Sequence, residues 1–484
     1  MVKSLYGHPD AGGYWEKHCE DHVCSVGFKN IPNWPSCYWH ERLKMFLIIY
    51  VDDFKMSGPA EKFEEAWKLI RRDSKTNKGI DTDTPEPTGK FLGCQHKVFE
   101  AKKDAFDNLP GPVTGIRVMP DGTQKSQFVT KKQARDAELE GAEINVPKGR
   151  ETDIVRYIEY DMEDFFKSCV DRYLELAPKG TKLKKVTTPF IDEGESNCTD
   201  FGAPETEARK KALEEMCKDN GELSDIASKC LMKCLYGARM CRFDLLRPIC
   251  ALASKVTKWS KECDRKLHRL MCFIDSSLDV RMIGKVGNTK EAITSCLFSD
   301  ADFAGCSETM KSTSGVFMKV GASNTHFPVS ACSVKQPAVS HSTAEAEIIA
   351  AELALRKEGL PINDLLDVIL ERKVICEFLE DNQATIRMLE SGRNPTLRHL
   401  GRTHKVDLAW LFEEFQKSTY HLRYCTSEEQ GADIFTKHFI NTDKWLEVSA
   451  CIGHMPMAKL FTSKGAPKTG GRLPARPKPP KTAS

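Results

Sequence analysis

A chain of 484 residues, 40% hydrophobic and 29% charged, is long enough for two or three domains that each bury a core. It has no apolar run of the ~18 residues a membrane span needs and no charged-then-apolar leader, so neither a spanning nor a secreted protein is expected. The net charge of +2 decides nothing about nucleic acid, because local basic patches vanish in a whole-chain balance.

The first chemical signal along the chain is Phe46-Leu47-Ile48-Ile49-Tyr50-Val51-Asp52-Asp53, an apolar strand that ends in two acids. Taken alone, Asp52 and Asp53 are either a polar hairpin turn or a pair of cation ligands. Residues 101–225 are charged and interrupted by Pro110-Gly111-Pro112, Pro120-Asp121-Gly122 and Pro147-Lys148-Gly149, the composition of an insertion or linker. Inside that stretch, 133–143 and 153–174 are predicted helical, the second from the spacing of Ile154, Tyr157, Ile158 and Met162. Residues 196–221 are polar and acidic, as a linker would be. An apolar helical stretch follows over 227–277 and carries Cys230, Cys234, Cys241 and Cys250. The 19 cysteines include no Cys-x-x-Cys pair and read as reduced thiols packed as small hydrophobes, as in an intracellular (cytoplasmic or nuclear) protein.

The C-terminal half carries four acids at the turning points of a strand-and-helix pattern. Asp300 follows the strand-like Thr294-Ser295-Cys296-Leu297-Phe298-Ser299, and Asp381 follows Val374-Ile375-Cys376-Glu377-Phe378-Leu379-Glu380. Glu347 lies in the first turns of the strongest helix, on one face with Ala350, Ala351 and Ala354, small residues that let a helix lie close to a sheet. Asp433 is expected in a late helix. If these acids converge, their like charges require cations, and two hard divalent ions are the usual apparatus for phosphodiester hydrolysis. Simpler roles exist for neighbouring acids. Glu345 completes the capping box Ser342-x-x-Glu345, Asp381 has the form of a helix N-cap, and Asp302 lies past the strand end. The tail, 464–484, is basic and proline-rich, and is expected to be disordered.

The strings around these acids resemble the ribonuclease H domain of copia-type LTR retrotransposons. They are Ser299-Asp300-Ala301-Asp302-Phe303-Ala304-Gly305, Lys311-Ser312-Thr313-Ser314-Gly315, Ser342-Thr343-Ala344-Glu345-Ala346-Glu347, Asp381-Asn382-Gln383-Ala384, and Glu428 through Lys437, in family order over 294–438. Five pieces in register are specific where one would be weak. Tyr50-Val51-Asp52-Asp53, between Lys3-Ser4-Leu5-Tyr6-Gly7 and Phe91-Leu92-Gly93, similarly resembles the palm hairpin of that family's reverse transcriptase. The cluster His18-Cys19-x-x-His22-x-Cys24, whose two histidines share a helix face, corresponds there to an ordinary palm helix, which is preferred over zinc.

The resemblance implies a multidomain α/β Pol polyprotein fragment. Residues 1–100 would be a truncated α+β palm, 101–225 a poorly matching insertion and 226–290 a thumb- or connection-like helical segment. Residues 291–440 would be a ribonuclease H-like five-stranded mixed sheet with flanking helices, and 441–484 an extension. It implies Asp300, Glu347, Asp381 and Asp433 as ligands of two magnesium ions, with manganese as a substitute, and cleavage of the RNA strand of an RNA/DNA hybrid. The other partners expected are nucleic acid more generally and the remaining Pol segments. Asp52 and Asp53 would be a polymerase remnant without the family's third, upstream aspartate, so polymerase activity is not expected. An RNA-directed DNA polymerase and a non-catalytic nucleic-acid-binding relic are the alternatives.

Four departures from the family are visible. Asp10-Ala11-Gly12-Gly13-Tyr14-Trp15 replaces Gln-Ala-Pro-Arg-Ala-Trp, and Arg242-Phe243-Asp244 replaces Arg-Pro-Asp. In Arg402-Thr403-His404-Lys405-Val406-Asp407, His and Lys are transposed relative to the family, which turns each side chain by about 100°. The histidine that many ribonucleases H carry before the last carboxylate is missing from 425–432.

Overall fold

A computed structural model describes residues 8–72, 79–102, 112–118, 124–130, 144–145, 154–191, 219–306, 309–393 and 399–456. The expected helix at 133–143, nearly all of the 196–221 linker, Lys3 to Gly7 and the basic tail lie outside them. The protein is mixed α/β, and among the described residues no helix is long and apolar enough to cross a membrane.

The N-terminal elements are α1 (Ala11–Ser25), β1 (Lys29–Ile31), β2 (Trp34–His40), β3 (Met45–Tyr50), β4 (Asp53–Ser57) and α2 (Phe63–Ile70). The strands form a four-stranded antiparallel sheet in sequence order. Met45, Leu47 and Ile49 alternate inward from β3 and pack with Val23 of α1 and Ala66 and Ile70 of α2. Period-two burial is what a sheet with one covered face demands.

A short strand, β5 (Lys90–Phe91), leads into β6 (Cys94–Lys102). A separate three-stranded sheet consists of β7 (Pro112–Val118), β8 (Gln124–Thr130) and β9 (Ile144–Asn145). The segment expected as one helix at 153–174 is instead strand β10 (Ile154–Asp161) followed by helix α3 (Glu163–Leu176). Its buried positions Val155, Tyr157 and Glu159 alternate, and β10 pairs with β6 over its whole length. Branched and aromatic residues at that spacing suit a strand better than a helix, so pairing overrides the helical reading. The boundary expected near residue 100 falls inside β6.

Helices α4 (Ser224–Cys241), α5 (Leu246–Ala253) and α6 (Lys261–Ser276) share one apolar core with α3. Between α4 and α5, Arg242 closes on Asp244 through its Nε (2.9 Å) and Nη2 (2.8 Å), a fully buried ion pair that makes the turn without the family's proline. The C-terminal half then runs β11 (Val280–Val286), β12 (Thr294–Asp302), β13 (Thr313–Ala322), β14 (Thr325–Lys335), α7 (Thr343–Ala354) and α8 (Leu360–Leu370). It continues through β15 (Cys376–Glu380), α9 (Gln383–Ser391), α10 (Leu400–Thr403), α11 (Leu408–Phe415), β16 (Tyr420–Tyr424), α12 (Thr442–Cys451) and β17 (His454–Pro456).

Where a five-stranded mixed sheet was expected, β14-β13-β12-β15-β16 are neighbours in a larger mixed sheet, with β12, β15 and β16 mutually parallel and β13 and β14 antiparallel to their neighbours. It does not end there. Beyond β14 the same sheet continues through β11, β10, β6 and β5, with β17 added to β11, for ten strands among the described residues. Central β12 is buried along seven consecutive residues, as a strand covered on both faces must be.

Candidate functional site: an acid cluster at the ends of the central strands

Asp300 and Asp381 reach the same place because β12 and β15 are parallel and in register. The paired residues run Ser295 with Cys376 through Phe298 with Leu379, so the next steps bring Ser299 beside Glu380 and Asp300 beside Asp381. The Ser299 hydroxyl donates to Glu380 at 3.2 Å, consistent with that register. Helix α7 lies across β12, and the reason is small side chains: Ala301, Ala346 and Ala350 pack as a cluster of their own. Its N-terminus is fixed by Ser342, whose hydroxyl accepts from the Glu345 N–H at 3.2 Å. Glu347, one turn further on, is thereby buried over the strand ends.

Asp433 arrives on a 3-10 turn, Asp433–Phe435, rather than on the expected helix. The turn sits against β13 because position 315 is glycine; a Cβ there would stand 2.7 Å from the Thr436 methyl and 2.8 Å from the Ala432 carbonyl. Gln430 anchors it to the neighbouring strand by donating to the Ser299 carbonyl at 2.9 Å. The Thr436 hydroxyl donates to Asp300, and Lys437 Nζ lies 2.6 Å from Asp433 Oδ1 and 3.6 Å from Asp300 Oδ1.

The structure therefore brings together all four expected acids and adds two groups that the sequence reading missed, Glu380 and Lys437. Glu380 is completely buried and accepts from the Ser299 hydroxyl and, at 3.0 Å, from the Asn382 N–H. Its only sequence signal is its place before Asp381 at the end of an apolar strand. Asp381 is not the N-cap of α9. Asn382 is, accepting from Ala384 and Thr385, and Asp381 accepts from Ser427 at 3.0 Å.

Burial and mutual repulsion dominate the electrostatics. Burial first, then Glu380, Asp300 and Asp381, pushes the Glu347 carboxyl up to about 11. Burial, with Asp381 and Asp300 adding to it, pushes Glu380 up to about 8. Burial and Asp300 push Asp433 up to about 7, against the pull of Lys437. Asp300 is raised as well, by burial above all, despite Lys437 and Thr436. The amino group of Lys437 is held charged by Asp300 and Asp433, which outweigh its desolvation in sum. Such a site lacks positive charge.

The donor set suits a hard divalent cation: every available ligand is carboxylate oxygen, and Glu347 Oε2 is buried with no hydrogen-bond partner. Among the described residues no three His, Cys, Asp or Glu side chains are drawn into a ready metal centre; Asp300 and Asp433 close on Lys437 instead.

The neighbouring acids have other partners. Asp302 pairs with Arg247 at 3.0 Å and accepts from the Thr313 N–H, while Arg247 also donates to the Thr436 carbonyl at 2.9 Å. It belongs to the framework that links the strand end to the turn. Glu345 does more than cap. It accepts from the His341 N–H at 3.0 Å and is buried against His399 Nε2 (3.1 Å) and His404 Nε2 (3.5 Å). The transposed His404 is thus turned inward, while Lys405 is exposed.

Asp52 and Asp53 stand at the tip of the β3–β4 hairpin on the other sheet, where Tyr50 pairs with Asp53 and Val51 takes a left-handed φ of 56°. The two-residue turn explains how the strand delivers both acids to solvent. In α1, His22 Nε2 lies 3.0 Å from the Ile70 carbonyl and Cys19 is buried, so this helix packs against α2. Compared with models of known protein families, the chain matches none.

Proposed function

We propose that this chain is a copia-type retrotransposon Pol fragment whose C-terminal half is a ribonuclease H acting on RNA/DNA hybrids. The observation that carries the reading is the meeting of Asp300, Glu347, Asp381 and Asp433, from two parallel strand ends, a helix and a turn, with too little positive charge beside them. The five-stranded mixed part of the sheet, with α7 across its central strand, supports the same fold assignment. Residues 1–100 are read as a truncated palm, supported by the two-residue hairpin that carries Asp52 and Asp53.

Two magnesium ions, or manganese in their place, would be held by Asp300, Glu347, Asp381 and Asp433 and would supply an activated water and charge stabilisation at the phosphate. Thr436 holds Asp300 in place, Ser427 holds Asp381, and Arg247 fixes both the strand end and the turn. The small residues of α7 keep Glu347 close to the sheet, where water is scarce. Discrimination for a hybrid would come from 2′-hydroxyls on the cleaved strand and the shape of the duplex.

The test is cleavage of an end-labelled RNA/DNA hybrid by the full chain with magnesium. The expected result is cleavage of the RNA strand that Asp300→Asn abolishes. Hybrid binding without cleavage would favour a non-catalytic relic, and cleavage unchanged in Asp300→Asn would place the chemistry elsewhere.

A further inference from the structure

Lys437 is a cation that reaches into the acid cluster and pairs with two of its members, Asp300 and Asp433. Arg247, the nearest alternative, is committed to Asp302 and the Thr436 carbonyl. An ordinary i, i+4 pair would account for Lys437 beside Asp433, at 2.6 Å. It would not account for the second contact, 3.6 Å to Asp300 on β12, which belongs to a different element 137 positions earlier by number. The ammonium therefore bridges two acids that the function proposed above assigns to metal. Its side chain is 41% exposed, so its outer side faces water and a path outward exists. Its cover is partial: Glu347 keeps an unpartnered buried oxygen.

We propose that Lys437 is a built-in stand-in cation, holding Asp300 and Asp433 together in the metal-free protein and swinging out to solvent when a divalent ion takes its place. The lysine stem suits this exchange, since a flexible four-carbon chain carries a compact point charge that can be re-solvated. A bound divalent ion would bring two charges where the ammonium brings one. The cost of displacing Lys437 is then subtracted from every metal-binding event, and this lysine sets metal affinity downward while it raises the stability of the empty site. Its asserted role is positioning, because no reacting atom is assigned to it.

This inference rests on the acids being a metal site, but it can be tested without hybrid or cleavage. Manganese binding to the full chain would be followed by electron paramagnetic resonance and calorimetry, alongside thermal melting in chelator and in saturating manganese. Lys437→Met is expected to bind manganese about tenfold more tightly than the parent, from the loss of one competing charge. It is also expected to melt lower in chelator, with the deficit closing when manganese is added. Lys437→Arg, which keeps the charge, should retain affinity nearer the parent's. Equal or weaker manganese binding by Lys437→Met, or a melting deficit that manganese does not close, overturns the proposal. If Lys437→Met cannot be kept folded in chelator, recovery with manganese supports the proposal and failure to recover overturns it. Manganese binding by the parent that Asp300→Asn abolishes keeps the metal site standing whatever Lys437 does. No manganese binding by either parent or Lys437→Met removes both.

Discussion

The Thr436 hydroxyl donates to the carboxylate of Asp300, joining the 3-10 turn to the central strand across the whole C-terminal half. A hydroxyl donor favours the charged acid, opposing the burial that raises it. Thr436→Val should therefore weaken magnesium binding by about tenfold or more, since a hydrogen bond to a charged group is worth roughly 1.5–3 kcal/mol. Thr436→Ser should restore it. Calorimetric titration of the full chain with magnesium checks both; a valine variant with unchanged affinity would show that the contact is idle.

Glu347 sets stability against function. Its carboxyl is pushed up to about 11, so the folded protein holds a proton there that the unfolded chain releases near the ordinary value of 4.5. Above that ordinary value the unfolded state is favoured progressively, and stability falls as pH rises toward about 11. Glu347→Gln removes the ionisation. In chelator it should gain about 1–3 kcal/mol at neutral pH and lose most of the decline between about pH 5 and pH 9. Urea midpoints across that range measure it. Hybrid cleavage should be lost in the same variant.

Asp433 and Glu380 make metal affinity depend on pH. With Asp433 raised to about 7, Glu347 to about 11 and the adjoining Glu380 to about 8, a divalent ion must displace protons to bind in neutral solution. Apparent magnesium affinity should thus climb from about pH 6 to pH 9, with proton release visible as buffer-dependent heat. Asp433→Asn should keep a residue of cleavage at raised magnesium or with manganese, which binds oxygen sites more tightly. Asp300→Asn and Asp381→Asn should keep none, and any rescue of either by manganese would contradict the ranking.

Glu345 is expected to matter for folding more than for cleavage. Gln at this position still accepts from the His341 N–H, so Glu345→Gln should leave hybrid cleavage within about twofold. Glu345→Ala leaves that N–H and the buried His404 unmatched, removes the contact to His399, and should cost about 1–3 kcal/mol in urea unfolding. Cleavage lost in Glu345→Gln with the fold intact would move this residue into the metal-binding set.

Asp300, Asp381 and Glu347 were legible because each ends or opens an element whose apolar pattern is strong: a strand buried on both faces, or a helix with a stripe of alanines. Asp433 was legible only through resemblance, since a 3-10 turn leaves no periodicity to read. Glu380 was hidden by its neighbour; an acid inside an apolar strand looks like an outward position until both faces are known to be covered. Lys437 was invisible for a different reason. Its contact with Asp300 depends on where the turn lands, and that is decided by Gly315 on another strand. The strand at Ile154–Asp161 was misread because apolar residues three and four apart fit a helix until pairing with β6 supplies the competing pattern.

Strand β11 has a consequence for how the protein comes apart. It pairs with β10 on one side and meets β14 at Lys285 and His326 on the other, with β17 joined to its first residues. Gly284 faces the Phe327 ring so closely that a Cβ would come within 2.5 Å. A chain severed just before β12 would leave β14 with an open edge and uncover the Phe327 ring, the exposure that invites sheet-to-sheet aggregation. The acid-bearing half is thus not a detachable cassette. Its strands should exchange their amide hydrogens in step with those of β10 and β6, as members of one cooperative unit.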